Sequence, residues 1–270
     1  MVPRAYIGTS GYSYKSWDKT FYGATPKKCQ LEYYSTQFPT VEINATFYRL
    51  PSDGMVRGWN ERVDEEFVYA VKGSRFITHM KKLANLDGAL DKYFDRIAPM
   101  QEKVGSVLWQ SPGILKRDDK RLDDFLAQLP SHYRHAVEFR HPSWYEDPIF
   151  HILKKHNAAH VALSSKGMPM NLSVTTDFVY VRFHGLEGGA AHDYTWKELQ
   201  PWAEFIIEQA SKRKRVYAYF NNDINVRAPE NAKMLMEMVG DHTVQPTAQE
   251  QPRFRVCADK RSRSKTVASR

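Results

Sequence analysis

His135-Ala-Val-Glu-Phe-Arg-His-Pro-Ser-Trp-Tyr-Glu-Asp-Pro-Ile-Phe-His-Ile-Leu-Lys-Lys-His156 holds in miniature the unit from which the whole chain is built. The stretch His135–Phe139 is β-type, and Tyr145 to His156 has helical spacing opened by Pro148. Between the two stand Glu138, Arg140, His141 and Trp144. Side chains two apart on a strand share a face, so Glu138 and Arg140 point the same way where the strand ends.

Working outward, the same rhythm recurs. Strands are predicted at Ala5–Gly8, Thr40–Ile43, Phe67–Val71, Val104–Trp109, Ala159–Leu163, Phe178–Phe183 and Val216–Phe220. Helices are predicted from about Lys28 to Phe38, Ser52 to Arg62, Leu86 to Gln101, Lys120 to Leu129, Trp196 to Lys212 and Pro229 to Val239. After the sixth strand, Ser164 to Ser173 is loop-like, so that helix is expected to be short or missing. About eight β–α alternations predict an α/β fold, a (β/α)8 TIM-like barrel in a single domain over residues 1–244. An open doubly wound sheet would usually carry a phosphate-binding glycine fingerprint after its first strand, and Gly8-Thr-Ser-Gly11 does not match one.

Composition narrows the partners. The chain has 270 residues, 42% of them apolar, enough for a large core. No apolar run approaches the roughly 18 residues of a membrane span, and the first residues lack the apolar region of a signal peptide. Cys29 and Cys257 are far apart without metal-type spacing, so no disulfide framework or zinc knuckle is readable. A cytoplasmic protein without a membrane partner is expected. Of the net charge of +8, Arg253 to Arg270 carries +6 (seven basic residues against Asp259), which leaves +2 for everything before it. Residues 245–270 are therefore expected to form a basic, disordered tail. Nucleic acid or anionic lipid is the minority expectation for that tail.

The polar residues concentrate just beyond the strands. Glu42 and Asn44 end the second, Lys72 follows the third and Gln110 the fourth. Glu138 and Arg140 end the fifth, Arg182 and His184 the seventh, and Asn221 with Asn222 the eighth. In a barrel these ends converge on one mouth, where active sites of this architecture are built. A buried ion network without chemistry is the alternative for any single pair; six strand ends with matching polar tips favour a pocket. Tyr12 and Trp17 belong to an aromatic stretch that fits equally an aromatic lip over the mouth or a packed cap. His79 lies in the loop after the third strand. His192 and Tyr194 follow a glycine-rich segment resembling a mobile flap.

The stretches Gly8-Thr-Ser-Gly-Tyr-Ser-Tyr-Lys-Ser-Trp17, Val41-Glu-Ile-Asn-Ala-Thr-Phe-Tyr-Arg-Leu-Pro51, Val107-Leu-Trp-Gln-Ser-Pro112 and Ala136-Val-Glu-Phe-Arg-His-Pro-Ser-Trp144 carry a family resemblance. Phe67 to Lys72 with Ile77-Thr-His79, Tyr180-Val-Arg-Phe-His-Gly185, and Val216 to Asn222 with Ala228-Pro-Glu-Asn-Ala232 continue it. In this order the chain resembles the YecE-like family, TIM barrels filed as a domain of unknown function. The resemblance implies a mouth lined by Glu42, Asn44, Lys72, His79, Gln110, Glu138, Arg140, Arg182, His184 and Asn221. It supplies no reaction. Its likeness to endonuclease-IV-type and sugar-isomerase barrels is one of fold. One departure stands out: the sixth strand ends in Leu163-Ser-Ser165, where many members are expected to carry an acid.

The leading expectation is an enzyme acting on a small polar or anionic substrate by lyase, isomerase or hydrolase chemistry. Lys72, Arg140 and Arg182 would hold an anion, Glu138 or Glu42 would be the base and His184 or His79 the acid. Asn44, Gln110 and Asn221 would orient the substrate, with Tyr12 and Trp17 at the lip. A nucleic-acid-processing barrel and a metabolite-binding module without catalysis are the alternatives. Glu138, His184 and His79 are the candidate metal ligands, but Lys72 and Arg140 crowd them with positive charge, so no metal or cofactor is expected. Oligomeric state is not readable.

Overall fold

In the computed structural model, which describes residue 2 and residues 4–247, eight parallel strands close into a barrel in chain order, with β8 pairing back onto β1. They are β1 (Ala5–Ser10), β2 (Thr40–Ile43), β3 (Val68–Lys72), β4 (Val104–Gln110), β5 (His135–Glu138), β6 (Ala158–Ser165), β7 (Phe178–Gly185) and β8 (Arg215–Phe220). The outer layer comprises α1 (Trp17–Thr20), α2 (Gln30–Ser35), α3 (Ala45–Tyr48), α4 (Asp53–Glu61), α5 (Ala89–Ile97), α6 (Asp119–Ala127), α7 (Asp147–Lys155), α8 (Trp196–Ser211) and α9 (Arg227–Val239). Among the described residues no helix lies between β6 and β7, as the loop-like sequence there predicts. Most of the predicted tail, from residue 248 on, and Cys257 lie outside the described residues.

Local chemistry explains several boundaries. Ser52 accepts the Met55 amide and caps α4, and Thr195 with Glu198 forms a reciprocal capping box on α8. Strand β1 runs two residues past the predicted end because Gly8 is a point of close approach. A Cβ there would stand 2.2 Å from the Thr40 carbonyl oxygen. The space admits the Tyr34 hydroxyl, which receives the Thr9 amide at 2.9 Å.

Two apolar cores result. The larger lies between the sheet and the helices. The smaller fills the barrel itself with Ala70, Leu108, Ala136, Val161, Phe178, Tyr180, Tyr217 and Tyr219. Alternation along each strand then carries the same inward face upward to Lys72, Gln110, Glu138, Arg182 and Asn221. No described helix is long and apolar enough to cross a membrane.

Candidate functional site

The mouth is organised around Arg182. It enters from β7, Glu42 from β2 and Glu138 from β5, and all three side chains are fully buried. Arg182 Nη2 donates to Glu42 Oε1 at 2.7 Å, and Nη1 donates to Glu138 Oε2 at 2.5 Å. Ser10, paired in register with Glu42, donates its hydroxyl to the same Oε1 and accepts from Arg182 Nη2 at 3.0 Å. Tyr180 donates to Glu42 Oε2 at 2.7 Å. Two carboxylates inside a barrel are tolerable only with such compensation, because an unpaired buried charge costs several kcal/mol.

Glu138 gathers further donors. Gln110 Nε2 reaches its Oε1 at 2.6 Å and Arg140 Nη1 reaches the same oxygen at 3.1 Å. His184 Nε2 stands 3.3 Å from that oxygen and 3.0 Å from Arg182 Nη1. Burial alone would raise the Glu138 pKa; Arg182, His184 and Arg140 outweigh it and hold the carboxyl well below its usual range. The His184 imidazole is pushed the other way on the proton scale, down to about 4, chiefly by burial, with Arg182 and Arg140 adding to it against Glu138. It is neutral at pH 7. Its Nδ1 lies 3.1 Å from Asn221 Nδ2.

On the β2–β3 side the mouth is less saturated. Asn44 Nδ2 donates to Ser10 Oγ at 3.1 Å, while its buried Oδ1 has no partner among the described residues. Lys72 Nζ sits 4.4 Å from the Phe47 ring centroid, and the ion pairs at the mouth couple Arg182 and Arg140 to the glutamates without including Lys72. Burial first, then Arg182, lowers the Lys72 pKa to about 8. His79 belongs not to an irregular loop but to a π turn, Phe76–Met80, a geometry frequent at functional sites. Its ring meets Phe47 edge-on at 5.0 Å, and burial and Lys72 lower its pKa.

The aromatic lip is a packed cap. Trp17 is fully buried, its Nε1 donating to the Asp223 carbonyl at 3.2 Å, which ties the segment after β1 to the one after β8. Tyr12 packs against Tyr34, with Arg62 and Glu32 as its charged neighbours, so it faces the helix layer rather than the mouth. Trp17 offers no free face to a substrate, whereas Tyr12 is partly exposed. The glycine-rich segment is likewise pinned: Tyr194 receives the Gly185 amide at 3.0 Å, and Asn222 Nδ2 donates to the His192 carbonyl at 2.7 Å. Sequence reasoning missed Ser10, Tyr180 and Tyr14, whose hydroxyl donates to the Ser10 carbonyl at 2.5 Å. Tyr180 had a usable signal, being two residues before Arg182 on one strand face. The sixth strand places Leu163 beside Arg182 in register, so the expected acid is replaced by an apolar neighbour. Among the described residues no three His, Cys, Asp or Glu side chains are grouped to hold a metal.

A closed eight-stranded parallel barrel with a charged polar mouth at the strand ends is the class these features define. The family model described as "Protein of unknown function DUF72" matches residues 6–255, and the chain belongs to that family. The chain is 30% identical over 141 residues to the UPF0759 protein YecE of Escherichia coli; that match covers 52% of this chain and 50% of YecE, about half its length. It is 24% identical over 267 residues to the UPF0759 protein YunF of Bacillus subtilis, covering 87% of this chain and 94% of that one. The crystal structure of a DUF72 family protein from Thermotoga maritima superposes with a TM-score of 0.78 at 27% identity, covering 87% of this chain and 99% of that one.

Proposed function

We propose that this barrel is an enzyme acting on a small polar or anionic substrate at its mouth. One observation carries the reading: Lys72, Arg140 and Arg182 face two buried carboxylates, which leaves one positive charge, and Lys72 is outside the ion pairs. An anionic group would complete that balance. The Arg140 side chain is 30% exposed and can turn part of its planar fork toward a ligand, while the unpartnered Asn44 Oδ1 awaits a donor.

On this reading the acid–base roles differ from those expected of the sequence. Glu138 is stabilised as an anion and Glu42 is engaged by three donors, so both are better electrostatic anchors than bases. Lys72, with a pKa of about 8, is better matched to proton transfer near neutrality, whereas His184, neutral with a pKa of about 4, is suited to hydrogen bonding. The test is thermal shift of the native protein and of Arg140→Ala with phosphate, small carboxylates and sugar phosphates. A ligand that binds the folded state raises its melting temperature, and the rise should vanish in the variant. A rise that persists in Arg140→Ala puts the binding site elsewhere, and binding without any product would make the barrel a sensing module.

A further inference from the structure

Lys72 closes β3 with its own carbonyl held twice, by Thr46 Oγ1 at 2.6 Å and by the Tyr93 hydroxyl at 3.2 Å. The side chain therefore rises from a fixed point on a rigid strand, half-buried, with its Nζ against the Phe47 ring. Among the described residues no carboxylate forms an ion pair with it, although Glu42 and Glu138 share its mouth; both are occupied by Arg182. An amine drawn out of water and set beside guanidinium groups favours its neutral, nucleophilic form. The lowered proton affinity of this group agrees with that geometry.

Resting on the reading of the mouth as an anion-accepting catalytic pocket, we propose that Lys72 Nζ is a carbonyl-reactive amine that binds an aldehyde or ketone bearing a carboxylate or phosphate as an imine. The amine lone pair attacks the carbonyl carbon. As the N–C bond forms, the C=O π bond breaks and the oxygen takes the proton released by nitrogen, giving a carbinolamine. A second proton converts that hydroxyl into departing water while the nitrogen lone pair closes the C=N bond. The protonated imine then draws electron density from the neighbouring C–H or C–C bond, which is lyase or isomerase chemistry. No oxidant or reductant is consumed. The substrate's anionic group would face Arg140.

The experiment is reductive trapping on the full chain. Native protein is incubated with glyoxylate, pyruvate or pyridoxal 5′-phosphate in the presence of cyanoborohydride, digested, and mapped by mass. Lys72 should be modified about ten-fold faster than the exposed Lys120, because more of it is unprotonated at neutral pH. The rate should rise with a midpoint near pH 8, and Lys72→Arg should abolish this fast phase. Modification of Lys72 no faster than Lys120 overturns the proposal. Should Lys72→Arg fail to fold, the pH profile of the native protein decides alone. An Arg140-dependent phosphate shift without trapping removes the imine and leaves the anion pocket standing; absence of both removes both.

Discussion

Arg182 Nη1 stands 2.5 Å from Glu138 Oε2, with neither side chain open to solvent. Replacing Arg182 by Met would leave Glu42 buried without an ion-pair partner and Glu138 with Arg140 alone, at a cost of about 4 kcal/mol near neutral pH. Because burial then favours the protonated acids, the deficit should shrink as the pH is lowered. Urea unfolding at two pH values reads this directly. A deficit independent of pH would assign the loss to packing instead of charge.

Lys72 offers the opposite pH dependence. Its folded pKa of about 8 lies below the ordinary lysine value, so between about pH 8 and 10 the unfolded chain binds more protons and stability rises with pH. Below pH 8 the full penalty of the buried ammonium is present. Lys72→Met should therefore be more stable than the native protein near pH 7, by about 2 kcal/mol. That advantage should fade toward pH 10. Melting temperatures across that range would show whether the two curves converge.

Acid should unfold the barrel partly through two buried imidazoles. Burial pushes His160, beneath Phe139, Tyr145 and Phe150, down to about 4. His135 also falls to about 4 through burial, against a bond to the Pro130 carbonyl. Both are neutral in the fold, so their contribution is complete above the unfolded value of about 6.5 and is lost as the pH falls toward 4. His160→Phe should flatten the acid limb of the stability profile without gain above pH 7. An unchanged acid limb would show that other groups control it.

Gly8→Ala tests the close approach of β1 to β2. The added methyl would meet the Thr40 carbonyl at 2.2 Å, a backbone atom that cannot swing aside. A loss of about 3 kcal/mol is expected by the cost of overpacking a filled core. Since Ser10 lies two residues further along β1, anion binding at the mouth should weaken too. Normal stability in the variant would mean that the strands can part at this point without cost.

Much of this was readable in the sequence. Charged and amide residues at period two inside apolar runs, such as Glu138 with Arg140 and Arg182 with His184, can hardly belong to anything but inward-facing strand ends. Ser10 was lost because Gly8 looked like the end of a strand; only the arrival of Tyr34 shows why a glycine belongs mid-strand there. Tyr12 and Trp17 could not be placed because aromatic residues look alike whether they line a mouth or pack a cap. What decides is the bond from Trp17 to Asp223, across most of the chain. The π turn bearing His79 has no local sequence signature, and the glycine-rich segment is held by Tyr194 and Asn222, partners its composition does not announce.

The pairing of β8 with β1 has a consequence for synthesis. Of the eight strands β1 is made first and its second neighbour, β8, last, so the growing barrel carries an unzipped flank until β8 is made. Such unsatisfied rims invite pairing with other chains. Ring completion therefore waits for β8, whereas the buried Glu42–Arg182–Glu138 bridge can form once β7 has delivered its arginine.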